Sequence, residues 1–178
     1  MLTAPASPAT IRAAIQRYAE AYAALQHLQE TSPLIPIGDQ KTGSIGEFYV
    51  RLYLEVLHPD ATITFGGHSE SGWDLEVTTS GHRWRVQVKT VSAFATMRRI
   101  SPIKRGWDAL HVVHLDRSFS PTGFWVIADA SCMGQGETLK SRCCPNPATN
   151  AGGSKGMSFG PNRVDELMAL IGGRLTAA

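Results

Sequence analysis

Long apolar runs are missing from this chain of 178 residues. Nowhere do about 18 apolar residues follow one another, so no bilayer-spanning helix and no membrane partner are expected. Residues 1–10 hold no basic stretch leading into an apolar one, which gives no reason to expect a signal peptide. Cysteine is scarce: Cys132, Cys143 and Cys144 do not make a disulfide framework, and the two neighbours are poorly placed to pair with each other. Reduced thiols in a cytoplasm fit that usage best. The same three residues lack the spacing of a zinc site. There is no nucleophile elbow and no phosphate-cradling loop, because Gly152-Gly153-Ser154-Lys155-Gly156 lacks the Walker spacing and follows no strand. No internal repeat is present. The net charge of +2 is too small to imply nucleic-acid binding by itself.

What is present is enough for one ordinary domain: 43% of the residues are hydrophobic, and both helix-like and strand-like segments occur. Thr10 reads as the N-cap of a helix from Ile11 to about Gln29, whose stripe is Ile11, Ile15, Tyr18, Tyr22, Leu25 and Leu28. A second helix opens at Gly43-Ser44-Ile45-Gly46-Glu47 and stops at Leu57, before Pro59. It is apolar on most sides, with Glu47, Arg51 and Glu55 as its polar stripe, so it belongs inside the domain. Strands are expected over Ala61–Phe65, Trp73–Thr79, Arg83–Val91, Asp108–Asp116 and Phe124–Ala128. Residues 131–160, rich in Gly, Pro, Asn and Ser from Gln135 onward, read as a long mobile loop. A last helix starts near Pro161 or Asn162 and is ended by Gly172-Gly173. The whole divides into an N-terminal helix and linker (1–42), a core (43–130), the loop, and a C-terminal helical segment (161–178).

The informative part is the hairpin around Ser80-Gly81. If facing residue numbers sum to 161, Leu75 meets Val86 and Val77 meets Trp84 on one apolar face. Asp74 then meets Gln87, Glu76 meets Arg85 and Thr78 meets Arg83 on a polar one. A slip of one residue would oppose side chains of unlike character, which fixes the register. Lys89 falls diagonally across from Asp74, within reach of a shared ligand. Hydrolysis of a phosphodiester calls for a hard cation held by a few oxygen ligands. Asp74 offers a carboxylate, Gln87 a side-chain carbonyl and Val88 a backbone carbonyl, and Lys89 offers a cation to orient water or stabilise developing negative charge.

Asp74 followed by Gln87-Val88-Lys89 resembles the D…(E/Q)xK signature of the PD-(D/E)xK phosphodiesterases, especially the branch with Gln in the second place that includes Mrr-like restriction endonucleases. The resemblance covers roughly residues 43–128. It implies an α/β domain with a restriction-endonuclease-like core, a central mixed sheet flanked by helices. It also implies a Mg²⁺-dependent deoxyribonuclease, with Mn²⁺ as a substitute, in which Asp74, Gln87, Lys89 and Glu47 are catalytic. Asp74, Gln87, Val88 and Glu47 would be metal ligands, Glu47 being the acid contributed by the preceding helix. DNA is the implied partner, and restriction or host defence, with repair behind it, the implied setting. Cutting both strands with one site per chain suggests a homodimer. Gln87 stands where most members carry Asp or Glu, which removes one negative charge and leaves room for an inactive relative that binds nucleic acid or protein.

Other readings of the same residues stand beside these. Ser44-Ile45-Gly46-Glu47 has the form of a capping box, and Glu47 has Arg51 as a salt-bridge partner in reach. Glu76 is expected to pair with Arg85, and the polar face of the hairpin could be an ordinary solvated one. From Arg83 to Arg105 seven cations (Arg83, Arg85, Lys89, Arg98, Arg99, Lys104 and Arg105) are interrupted by no acid, a distribution that attracts a phosphate backbone. Apart from Lys89, these are the candidate nucleic-acid contacts, suited to backbone more than to base edges. His111 and His114 are three apart on a strand, so they point to opposite faces and share no metal. Trp107 reads as core.

Overall fold

The computed structural model describes residues 6–31, 42–66, 72–127, 138–139, 142–154 and 157–176. Helix α1 spans Pro8–Thr31 and α2 spans Thr42–Leu57. Seven strands follow: β1 Thr62–Phe65, β2 Leu75–Thr78, β3 Arg83–Ser92, β4 Arg99–Ile100, β5 Ile103–Lys104, β6 Ala109–Leu115 and β7 Pro121–Ile127. Two short strands, β8 Thr138–Leu139 and β9 Arg142–Cys143, precede helix α3 at Val164–Thr176. The central sheet runs β1-β2-β3-β6-β7, with only β3 and β6 parallel. The fold is therefore mixed α/β, with a five-stranded mixed sheet and three helices among the described residues, as the sequence led one to expect. Among the described residues no helix is long and apolar enough to cross a membrane.

The sheet is covered on both faces. Alternate residues of the strands, including Leu75, Val77, Val86, Val88, Val113, Leu115 and Phe124, pack against the three helices. The opposite side chains of the sheet, Val91, Leu110, Val112, Trp125 and Ile127, pack against Ile100, Ile103, Trp107, Cys144, Met157 and Phe159. That second layer is a strap. Residues 93–108 leave β3, cross over the sheet and return as β6, and β4 and β5 within them pair with β9 and β8 from much later in the chain. Burial on both faces explains why β6 is apolar apart from His111 and His114.

Four local expectations are corrected. The first helix begins one turn earlier than Thr10, because Ser7 accepts the Thr10 N–H at 3.2 Å and Pro8 takes the first helical position. Its stripe residues Ile11, Ile15, Tyr18 and Tyr22 belong to the core, whereas the side chains of Leu25 and Leu28 lie outside the described residues. Ser44 lies inside α2, which begins at Thr42, so Glu47 sits beyond the first turn and the capping box does not form. Gly172-Gly173 do not end α3, which runs on to Thr176 because Ile171 and Leu175 on either side are buried in the core. That burial outweighs a propensity cost of about 1 kcal/mol for each glycine. The supposed loop is packed where it is described: it supplies β8, β9 and the buried Cys144, Met157 and Phe159. Cys132 lies outside the described residues.

Candidate active site

The site forms where β2 stops and β3 continues. The β2–β3 ladder ends at Leu75 opposite Val86, in the expected register, while β3 runs on to Ser92 with β6 on its other side. Asp74 is the residue just before β2. Its backbone N–H still donates to the Val86 carbonyl at 2.9 Å, and its Oδ2 then replaces the missing strand by accepting the Val88 N–H at 2.7 Å. A strand residue directs its N–H and C=O to the same edge, so the Val88 carbonyl faces that open edge too. Gln87 Nε2 donates to the same Asp74 Oδ2, leaving the amide oxygen as its other polar end. Gln87 is buried, while Asp74 and Lys89 are half-buried.

Glu47 reaches this point from α2. Gly46 lets the helix lie against β3 at Thr90, which brings the next residue to the strand edge. Burial raises the Glu47 carboxyl above its ordinary range, the nearby Asp74 charge raises it further, and Lys89 partly offsets both. Burial lowers the Lys89 ammonium, opposed by Asp74 and Glu47. The structure thus brings Asp74, Gln87, Lys89, the Val88 carbonyl and Glu47 together. Arg51 does not take Glu47 as its partner: it pairs with Glu55 at 2.9 Å.

A testable consequence follows from the raised Glu47 carboxyl. The folded chain holds that proton more tightly than the unfolded one, so this group's stabilising contribution is full below about pH 4.5. It is lost as pH rises through the higher folded value. In the absence of metal, Glu47→Gln is expected to raise Tm near pH 8, by a few degrees at most because solvent screens a half-exposed group. The gain should shrink toward zero below pH 4.5. Thermal melts at the two pH values check this, and a variant that melts lower at pH 8 refutes it.

The donor set suits a small hard cation. Among the described residues no three His, Cys, Asp or Glu side chains cluster. The two carboxylates, the amide oxygen and the backbone carbonyl are all oxygen donors, and Mg²⁺ needs only one or two carboxylates besides water and phosphate. Two carboxylates facing one ammonium leave a local deficit of positive charge.

The cations divide into two groups. Arg83 and Arg85 lie on the same face of β3 as Gln87 and Lys89. Glu76 approaches them at 2.5 Å and 3.5 Å, so its expected pairing with Arg85 is shared with Arg83. The Arg85 guanidinium also lies over the Trp73 ring, and the Arg85 backbone N–H donates to Asp108 Oδ2 at 2.8 Å. The run without acids in the sequence therefore meets an acid in space, Glu76, at its Arg83 and Arg85 end. Arg98, Arg99, Lys104 and Arg105 lie on the strap. Arg98 Nε donates to the Cys144 carbonyl at 3.3 Å, and Arg99, Lys104 and Arg105 are exposed. Trp107 is core, its Nε1 donating to the Lys104 carbonyl. His111 is buried among Tyr53 and Phe124 and held down to about 3 by burial, so it stays neutral, while His114 on the opposite face meets Thr122.

Sequence reasoning missed the glycines. A Cβ on Gly72 would overlap the Arg105 carbonyl, so the strap presses directly on the segment that carries Asp74. Gly106, at φ 119°, makes the matching turn. A glycine two residues before the aspartate was the available signal.

Comparison with protein families matches none, and comparison with curated proteins likewise gives no match. Seven solved chains match in structure. One of them is the bacterial homing endonuclease I-Ssp6803I, similar over 79% of this chain and 100% of that one, at 14% identity and a TM-score of 0.41.

Proposed function

We propose that the chain is a divalent-metal-dependent deoxyribonuclease of the PD-(D/E)xK kind. The observation that carries the reading is the convergence of Asp74, Glu47, Gln87, the Val88 carbonyl and Lys89 at the open edge of β3. Asp74 and Glu47 would hold Mg²⁺ or Mn²⁺, with Gln87 and the Val88 carbonyl completing the ligand set. When bound, the ion supplies Lewis acidity toward the phosphoryl oxygens and lowers the pKa of water. The rest is the work of the chain. Lys89 directs its ammonium at the developing negative charge and holds the attacking water in line. The water oxygen bonds to phosphorus as the bond to the leaving oxygen breaks, and that oxygen takes up a proton. Arg83 and Arg85 extend the same strand face toward the phosphodiester backbone, with Arg98, Arg99, Lys104 and Arg105 on the strap beside it. A role in restriction or host defence, or in repair, accompanies this reading, with cutting of both strands by a homodimer.

A second reading has one observation in its favour. Gln87 donates its amide to Asp74, so the acid already has partners without a cation. A catalytically silent relative that retains DNA through the same face would look like this. Supercoiled plasmid incubated with the protein and Mg²⁺ or Mn²⁺ separates the two. Nicking that EDTA abolishes is the expected result. Retention of DNA in a gel shift without nicking supports the silent relative, and a protein that neither nicks nor retains DNA refutes both readings.

A further inference from the structure

The joint between α2 and β3 is unusually close at one point. Gly46 lies against Thr90, and a Cβ placed on Gly46 would overlap Thr90 Oγ1 while lying 2.9 Å from both Cβ and Cγ2 of that threonine. Rotating Thr90 does not open the space, because its two γ substituents and Cβ all crowd the same hydrogen. A β-branched side chain in a strand has few other rotamers to use. Thr90 Oγ1 is buried and makes no hydrogen bond within the chain. What the pair supplies is contact distance. On α2 the next residue after Gly46 is Glu47, and on β3 the residue before Thr90 is Lys89. The joint therefore sets how far the helix carboxylate stands from the strand that carries the ammonium, Gln87 and the Val88 carbonyl.

We propose that Gly46 and Thr90 are positioning residues that hold Glu47 at ligand distance from the metal site on β3. The inference rests on the metal-dependent reading above. Any side chain at position 46 drives the first turns of α2 away from β3 and takes the Glu47 carboxylate with them. A displacement of about 1 Å in such a constellation costs on the order of 10²-fold in rate, and loss of a residue that supports a ligand costs about 10–100-fold in metal affinity.

The test measures Mn²⁺ binding to the full chain by titration calorimetry without DNA, beside plasmid nicking and circular dichroism. Gly46→Ala is expected to keep its secondary structure, bind Mn²⁺ about 10–100-fold more weakly and nick about 10²-fold more slowly. Adding Thr90→Gly removes Oγ1, Cγ2 and the Cβ that would stand 2.9 Å away, so the double variant should recover most of the Mn²⁺ affinity. In a Glu47→Gln background Gly46→Ala should weaken Mn²⁺ binding no further, since its effect runs through Glu47. A purely structural joint would not give that non-additivity. If Gly46→Ala fails to fold, the double variant decides: folding and Mn²⁺ binding near wild type support the joint. A double variant as poor as the single one overturns it. Wild-type protein that binds Mn²⁺, with Gly46→Ala binding equally well, overturns this inference alone. Wild-type protein that neither binds Mn²⁺ nor nicks overturns the metal-dependent reading and the inference with it.

Discussion

Lys89→Met is expected to slow metal-dependent nicking by about 10²–10³-fold while leaving Mn²⁺ binding unchanged or tighter. The two effects separate because the ammonium and the cation compete for the same electrostatics. Lys89 is half-buried, its charge is disfavoured by that burial, and Asp74 and Glu47 are the charges that sustain it. Methionine keeps the apolar stem and removes the charge, so the two carboxylates face each other with no local cation and their demand for a divalent ion grows. What is lost is the group aimed at charge that develops only in the transition state, and a single donor of that kind is worth about 10²–10³-fold. Single-turnover cleavage and calorimetry on the same preparation check both halves. Lys89→Met nicking within about threefold of wild type, far short of that loss, would remove Lys89 from the mechanism.

Asp74→Ala should eliminate nicking and Mn²⁺ binding together and also lower stability. Its Oδ2 accepts both the Val88 N–H and the Gln87 amide, and Gln87 is only 3% exposed. Without the carboxylate a buried amide and a strand-edge N–H lose their partner, at about 1–3 kcal/mol. In a domain of this length that is a fall of several degrees in Tm. Asp74→Asn restores an acceptor for Val88 while still lacking the charge, so it should melt closer to wild type and remain inactive. A drop in activity with the Mn²⁺ isotherm unchanged would falsify the ligand role.

The hairpin was legible because its pattern has period two and only one register keeps both faces uniform: every pair from Leu75–Val86 to Thr78–Arg83 forms as read. The meeting of Asp74 with Gln87 followed from the same arithmetic, one step past the last ladder pair. The approach of Glu47 was expected only from the family resemblance, and the spacing that permits it depends on Gly46, whose neighbour Thr90 is 44 positions away and invisible to any local pattern. Composition misled at residues 142–154 and 157–160. Gly, Pro and Asn there serve tight backbone geometry, with Asn150 at φ 52° donating to the Gly160 carbonyl and accepting from the Trp125 indole. The charge run from Arg83 to Arg105 misled in the opposite way, since Glu76, which pairs with Arg83 and Arg85, comes from outside it.

The strap has a consequence for how such a chain comes to life on the ribosome. All the motif residues lie before position 90, and they would emerge early. The crossover that presses on Gly72 is itself tied down by β9 and β8, from about 40 residues further on. A nascent chain can thus display its complete motif while the clamp behind Asp74 is still unmade, so maturation of the centre waits for the C-terminal third to be synthesised.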